Sequence, residues 1–204
     1  MTRLYESHPV PHRLDIVCPA CRHRAEFEFA EVVDIKSKSD VAFFQESSVF
    51  EYQQYRDSYG HVWHGALYFQ GLHGSPDKAI HALPEGYSAA DWDHPRYERN
   101  RHGWRAGSIR CSACHVRGTH ALNWPGDAYF SVAHRGHVLW AFHRESAIAL
   151  MRYLLSTDRK GSMYRWGTFL LHVPTVFKVR KASEAVARKL GKLLDPSHST
   201  RRVS

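Results

Sequence analysis

The chain has 204 residues, of which 43% are hydrophobic and 13% aromatic, so it can bury a sizeable core and does not have the composition of a disordered protein. Lys and Arg number 28 against 20 Asp and Glu, and the net charge of +8 favours polyanionic partners such as nucleic acid. No run approaches the about 18 consecutive apolar residues that cross a bilayer, and the N-terminal residues lack the apolar centre of a signal peptide. We therefore expect a cytoplasmic protein that does not bind membranes.

The first feature along the chain is a Cys-x-x-Cys pair, Cys18 and Cys21, which follows a short apolar stretch. In residues 25–29 after it, apolar side chains alternate with glutamates, and this period of two predicts a strand. The expected local order is therefore strand, tight turn with two thiols, strand.

An insertion at about residues 32–106 follows this unit. Residues 41–68 are dense in Phe, Tyr and Trp, which predicts a packed aromatic core, with Tyr52, Tyr55 and Tyr59 beside Arg56 as the exposed subset that could stack on bases. A short helix is predicted over residues 76–82 and a loop over residues 91–103.

A second pair, Cys111 and Cys114, lies in similar surroundings, so the two pairs form a weak internal repeat. Thiols stay reduced in the cytosol, and paired Cys-x-x-Cys turns supply the four tetrahedral ligands that Zn²⁺ prefers. We therefore predict one structural zinc ion bound by all four cysteines. Two local disulfides are disfavoured because thiols persist in a reducing compartment, and a haem attached through Cys111, Cys114 and His115 is disfavoured because the first pair has no equivalent histidine and no export signal is visible.

Over about residues 13–31 and 107–124 the chain resembles the zinc-ribbon proteins. The resemblance implies a small antiparallel sheet with the metal at one end. In ribbons about 15 to 20 residues separate the two pairs, whereas 89 residues lie between Cys21 and Cys111. An insertion of that size must have a structure of its own.

After the second pair, residues 129–133 and 138–142 predict a hairpin whose turn contains Gly136. Apolar residues at helical spacing predict a helix over residues 144–156. A second helix is predicted from Ser183, as its N-cap, to Leu194, with one apolar stripe and a basic opposite face. Residues from Pro196 onward should form a loose tail.

Two groups of basic residues are the candidate nucleic-acid contacts. Arginines beside the cysteines can bind phosphates or instead balance the negative charge of a metal–thiolate centre. Residues near and on the last helix can lie against phosphates or form an ordinary solvated helix face. The candidates are Arg22, Arg24, Arg110, Arg117, Lys178, Arg180, Lys181, Arg188, Lys189 and Lys192.

Sixteen histidines raise the question of a second metal site. The candidates are His61, His64, His94, His102, His115, His120, His134 and His137, and we expect most of them to be ordinary core or solvated side chains. A metal-dependent nuclease acting through His94 or His102 is one hypothesis, although Pro95 favours extended backbone there. Neither a glycine-rich phosphate loop nor a nucleophile elbow occurs in the sequence.

The sequence thus predicts an α+β fold, in which a small antiparallel sheet is stapled by a four-cysteine zinc-ribbon-like site and helices gather at the C-terminus. Residues 1–175 are expected to form the zinc-stapled domain, and residues 176–204 a basic helix and tail. The leading functional hypothesis is a nucleic-acid-binding protein without catalysis, as one subunit of a larger nucleoprotein machine. A protein-interaction adaptor or scaffold, and a nuclease, are the alternatives.

Overall fold

The computed structural model describes residues 10–56, 59–93, 105–159 and 165–195. The strands in these ranges are β1 (Arg13–Val17), β2 (Arg24–Phe29), β3 (Glu31–Asp34), β4 (Phe50–Arg56), β5 (Val62–Tyr68), β6 (Ala106–Arg110), β7 (Arg117–Ala121), β8 (Phe130–His134) and β9 (His137–Ala141). The α-helices are α1 (Val41–Glu46), α2 (Gln70–His73), α3 (Pro76–Ala79), α4 (Arg144–Leu155), α5 (Gly167–Leu171) and α6 (Arg180–Leu194). None of the helices in the described ranges has the length and apolar character needed to cross a bilayer.

Both cysteine pairs lie on a four-stranded antiparallel sheet with the order β1-β2-β6-β7. Alternation along the strands puts Leu14, Phe27 and Ile109 side by side on one face, where all three are buried. The opposite face is polar, with Arg13 paired in register with Glu28. α2 of the insertion packs on this sheet at β6.

The insertion contains a second sheet, with the order β3-β5-β4, and a core of its own. That core is aromatic: Phe44, Phe50 and Trp92 are buried in it, and the indole Nε1 of Trp92 donates to the carbonyl of Ala66 at 3.0 Å. The dense aromatic residues of this segment therefore pack as predicted. Of the tyrosines expected at the surface, Tyr59 is 87% exposed, whereas Tyr52 and Tyr55 are half-buried.

The two ends of the insertion lie close together. The backbone N–H of Ala30, at the end of β2, donates to the carbonyl of Ala106, at the start of β6, over 3.0 Å. The chain therefore leaves the four-stranded sheet and returns to it at the same place.

The β8-β9 hairpin, α4 and α6 pack on one another and share the main core with the apolar face of the four-stranded sheet. Trp140, Leu150 and Leu190 are fully buried there, together with Ile16 of β1. Cys18 and Cys111 belong to the same buried cluster. The cysteine turns are therefore continuous with the largest apolar region of the protein.

Several predicted elements are confirmed, and others differ; the helix predicted over residues 76–82 is α3, which ends at Ala79. The hairpin and α4 occur where expected, and Gly136 has a φ of 77° in the turn. The last helix begins at Arg180, so the prediction of Ser183 as its N-cap is wrong: Ser183 is buried in the first turn and its hydroxyl donates to the carbonyl of Arg180. The short helices α1, α2 and α5 were not predicted, because helices of six, four and five residues are too short to show a period.

Candidate metal centre

The four cysteine sulfurs form one cluster, in which all Sγ atoms lie within 4.8 Å of one another. The Sγ atoms of Cys18 and Cys114 are 3.7 Å apart, and those of Cys21 and Cys111 are 3.6 Å apart. A tetrahedral ion with metal–sulfur bonds of about 2.3 Å requires sulfur–sulfur distances of about 3.8 Å. The cluster can therefore hold a single metal ion, and it is compatible with a zinc-ribbon-like site.

Strand order explains why these sulfurs meet. The first pair lies in the turn between β1 and β2, and the second in the turn between β6 and β7. Because β2 and β6 are antiparallel neighbours, both turns fall at the same end of the sheet. The pairing of Glu26 with Arg110, the last ladder pair before the turns, sets the two turns side by side.

The two turns have the same backbone design. The N–H of Cys18 donates to the carbonyl of His23 at 2.7 Å, and the N–H of Cys111 donates to the carbonyl of Val116 at 3.0 Å. The residue after each second cysteine has a positive φ, 65° at Arg22 and 61° at His115. The internal repeat seen in the sequence is thus a repeat of turn geometry. In both turns a residue other than glycine adopts the left-handed backbone conformation.

The thiols influence one another's ionisation. Burial opposes ionisation of Cys111, but backbone N–H groups of Cys114 and Ala113 donate to its sulfur and lower its pKa to about 7. At Cys21 a backbone hydrogen bond from His23 favours the thiolate, yet burial and the three neighbouring sulfurs together raise its pKa to about 12. Four thiolates at this spacing repel one another, so a cation is required for all of them to ionise.

Three of the four predicted arginines beside the cysteines have partners within the protein. The Arg24 guanidinium lies 3.5 Å from the carboxylate of Asp15, and that of Arg110 lies 2.9 Å from Glu26. Arg117 donates to the backbone carbonyls of α2, at 3.0 Å to that of Gly71, and so ties the insertion to the sheet. Arg22 is exposed at the positive-φ position.

The second group of predicted basic residues lies on and before α6. Arg180 pairs with Glu184 at 3.1 Å, and Lys189 donates to the carbonyl of Ala133 on β8 at 3.0 Å. Lys178 is half-buried, with its ammonium 6.0 Å from the centre of the Tyr153 ring. The remaining three, Lys181, Arg188 and Lys192, are exposed on α6.

The histidines that were considered as further metal ligands are dispersed. His64 accepts or donates a hydrogen bond with the Tyr52 hydroxyl at 2.7 Å, and His134 and His137 face each other at the end of the β8-β9 hairpin. His120 contacts Asp127 at 3.1 Å. Among the described residues, only the four cysteines form a cluster of metal-ligand side chains. His94 and His102 lie outside the described residues.

No protein-family model matches the chain, and no curated protein or solved structure is significantly similar to it.

Proposed function

We propose that the metal bound by Cys18, Cys21, Cys111 and Cys114 is zinc and that its role is structural. Thiolate ligands in two Cys-x-x-Cys turns favour Zn²⁺ over hard ions such as Mg²⁺ or Ca²⁺, which prefer oxygen. A site with four protein ligands leaves no coordination position for a reacting water. The ion joins the two turns and closes the end of the main core.

We propose further that the protein binds nucleic acid without catalysis, as one subunit of a larger nucleoprotein assembly. The observation that carries this proposal is the outer face of α6. Lys181, Arg188 and Lys192 are exposed there, opposite the buried Val186 and Leu190, and none of the three forms an ion pair with a described residue. A row of three such cations on one face of a 15-residue helix suits a phosphate backbone.

Two further features support this proposal. The net charge of +8 attracts polyanions over the whole surface. Arg22 extends from the metal turn, and Arg110 retains an exposed side chain, 67% accessible, beside its partner Glu26. Both can reach a phosphate at the metal end of the sheet, which makes this end a second contact area.

The test is the affinity for DNA and RNA oligonucleotides as a function of salt, measured by fluorescence anisotropy. Removing Lys181, Arg188 and Lys192 together as alanines should weaken binding and reduce the slope of log K against log salt by up to about 3 units. The matched control removes three exposed cations elsewhere, as Lys38→Ala, Lys78→Ala and Arg152→Ala. If the wild-type protein binds neither nucleic acid, or if both triple variants lose affinity equally, the proposed role of α6 is wrong.

A protein-interaction adaptor is the second candidate function. Three large apolar side chains outside the core are strongly exposed: Leu155 at 57%, Leu171 at 64% and Val179 at 61%. Exposed apolar groups of this kind suit a protein interface. An adaptor should co-purify stoichiometrically with one partner, and a monodisperse monomer that captures none would remove the support for this function.

A further inference from the structure

The excess of cations comes from the C-terminal half of the chain. Residues 107–204 contain 16 Lys and Arg against 5 Asp and Glu, whereas residues 1–106 contain 12 against 15. α6 alone carries five cations and one acid, and that acid, Glu184, pairs with Arg180 at 3.1 Å. The attraction for a polyanion should therefore be strongest on the half of the chain that contains α6.

Lys181, Arg188 and Lys192 form one straight row on α6. Each residue of an α-helix is rotated by about 100° from the one before it, so these three positions point within about 40° of one another. At about 1.5 Å per residue, the row is about 16 Å long. Val186 and Leu190 are fully buried on the opposite side of the helix. The row therefore points away from the protein, where a long polyanion can approach it.

Contacts with other elements hold α6 in place. Arg144, at the start of α4, donates to the carbonyl of Leu194 at 2.7 Å, and Lys189 donates to the carbonyl of Ala133 on β8 at 3.0 Å. The half-buried Ala185 lies beside the row, and its methyl group is too small to keep a phosphate backbone at a distance. The direction of the row is thus set before a partner binds.

The composition of α6 limits what it can recognise. Residues 180–194 contain no aromatic side chain that could stack on an unpaired base, and no Asn or Gln that could bond to a base edge. The one hydroxyl of the helix, that of Ser183, is buried. Cations that bind phosphates fix the position of a nucleic acid but do not read its sequence. A duplex carries one phosphate per about 1.7 Å of its axis, twice the density of either strand.

We propose that α6 binds double-stranded nucleic acid along its phosphate backbone, without regard to sequence. Log K falls with log salt by about 0.9 per phosphate neutralised on a duplex and by about 0.7 on a single strand. For three contacts, two forms that bind equally at about 1 M salt therefore differ about fourfold at about 0.1 M, in favour of the duplex. The inference rests on the proposed function and deepens it, because it names the form of nucleic acid that is bound.

The first arm of the test is fluorescence anisotropy at about 0.1 M salt. It compares DNA and RNA duplexes of unrelated sequences with their separate strands, which are chosen to lack self-complementary segments. The tighter of the two duplex types should bind about fourfold more tightly than its strands. Duplexes of that type with unrelated sequences should agree within about twofold.

The second arm uses variants whose fold and metal content have been verified by circular dichroism and elemental analysis. Arg188→Lys keeps the charge and loses the geometry that can recognise guanine, so it should bind the duplex within about twofold of the wild-type protein. The triple alanine variant of the row should lose the preference for the duplex. The triple control variant described above should keep that preference.

A preference for the duplex of less than about twofold, or a tenfold preference for one duplex sequence over another, overturns the inference while nucleic-acid binding stands. So does a tenfold loss in Arg188→Lys, or a duplex preference that survives the triple alanine variant. If no nucleic acid binds, the proposed function fails and the inference fails with it.

Discussion

The four-stranded sheet joins strands from distant parts of the chain through two short turns and four sulfurs, whereas the insertion packs its own sheet around Trp92 without a cysteine. With the proposed zinc, the first sheet is stabilised by ionised ligands and an ion in addition to the main core, whereas the second is stabilised by buried aromatic area. These two sources of stability respond to different perturbations. Chelators remove the metal and acid protonates the thiolates, whereas apolar packing is weakened by substitutions that create cavities. A perturbation aimed at one region should therefore affect that region first.

The largest effect should follow removal of the metal. Structural zinc contributes on the order of 10 kcal/mol in small metal-folded peptides, which is comparable to the whole stability of a domain. Chelation, or Cys111→Ser, should abolish protection from hydrogen exchange in β1, β2, β6 and β7 before it affects β4 and β5. Hydrogen exchange with mass spectrometry measures the protection of each strand, and elemental analysis measures the metal content.

The control for the cysteine variant is Ser112→Ala, which alters an exposed non-ligand residue in the same turn. It should retain one metal ion per chain and normal protection. Full protection of the four strands in protein shown to be metal-free would contradict the prediction.

The next effect should come from the centre of the insertion. Trp92→Ala removes a fully buried ring that packs against Phe44 and Phe50, and it should reduce the free energy of unfolding of the insertion by about 3 to 5 kcal/mol. Metal content should be unchanged. Trp92→Phe keeps most of the packing and loses the hydrogen bond to the Ala66 carbonyl, so it should cost about 1 kcal/mol more than packing alone predicts. Equal loss of exchange protection in both sheets would show that the regions unfold together.

A smaller effect is expected at the contact between the regions, where Glu28 lies buried. Burial alone would raise the pKa of Glu28, but hydrogen bonds and charge from His12 and Arg13 outweigh burial and lower it. Its stabilising contribution is therefore full above the unfolded pKa of about 4.3 and is lost as pH falls through the lower folded pKa. Glu28→Gln should cost about 1 to 3 kcal/mol at neutral pH.

Denaturant titrations of both proteins between neutral pH and pH about 3 measure this effect. Acid also protonates the metal ligands in both proteins, so the difference between the two stability curves isolates Glu28. That difference should shrink as pH falls below about 4.3. A constant difference over the whole range would mean that the charge of Glu28 contributes nothing.

The smallest effect should be a gain in stability at the two metal turns. Arg22 and His115 adopt positive φ, which costs a residue with a Cβ roughly 1 to 2 kcal/mol, part of which glycine recovers. Arg22→Gly and His115→Gly should each raise the free energy of unfolding by up to about 1 kcal/mol. Ala20→Gly, in the same turn without a positive φ, should not raise it. Thermal unfolding of the metal-bound proteins measures these shifts.

Local features of this protein could be predicted from its sequence. The Cys-x-x-Cys spacing identified all four sulfurs of the cluster, because each pair of thiols lies in one tight turn and is visible in a few residues of sequence. The approach of one pair to the other is the part that depends on distant residues. The β8-β9 hairpin and α4 were predicted for the same reason, since Gly136 and the helical apolar spacing act within a few residues.

The remaining features depend on contacts between distant residues. The orders β3-β5-β4 and β1-β2-β6-β7 bring together strands that no local pattern connects. His120 was considered as a metal ligand, but in the structure it contacts Asp127, which lies in the loop after β7. The start of α6 was misplaced because Ser183 has the residue type of an N-cap, although tertiary packing buries it within the helix.

The hydrogen bond between Ala30 and Ala106 bears on how far the length of the insertion can change. Phe29 pairs with Gly107 at the point where the insertion begins and ends. The alignment of β2 with β6 is therefore set by hydrogen bonds next to the insertion and does not depend on its length. Doubling the length of a flexible loop adds only about 0.6 kcal/mol to the entropic cost of closing it. Extension of loops in the insertion that do not contact the sheet should therefore leave the alignment of β2 with β6 unchanged, whereas deletion of the whole insertion would remove α2 from β6 and leave Arg117 without its carbonyl partners.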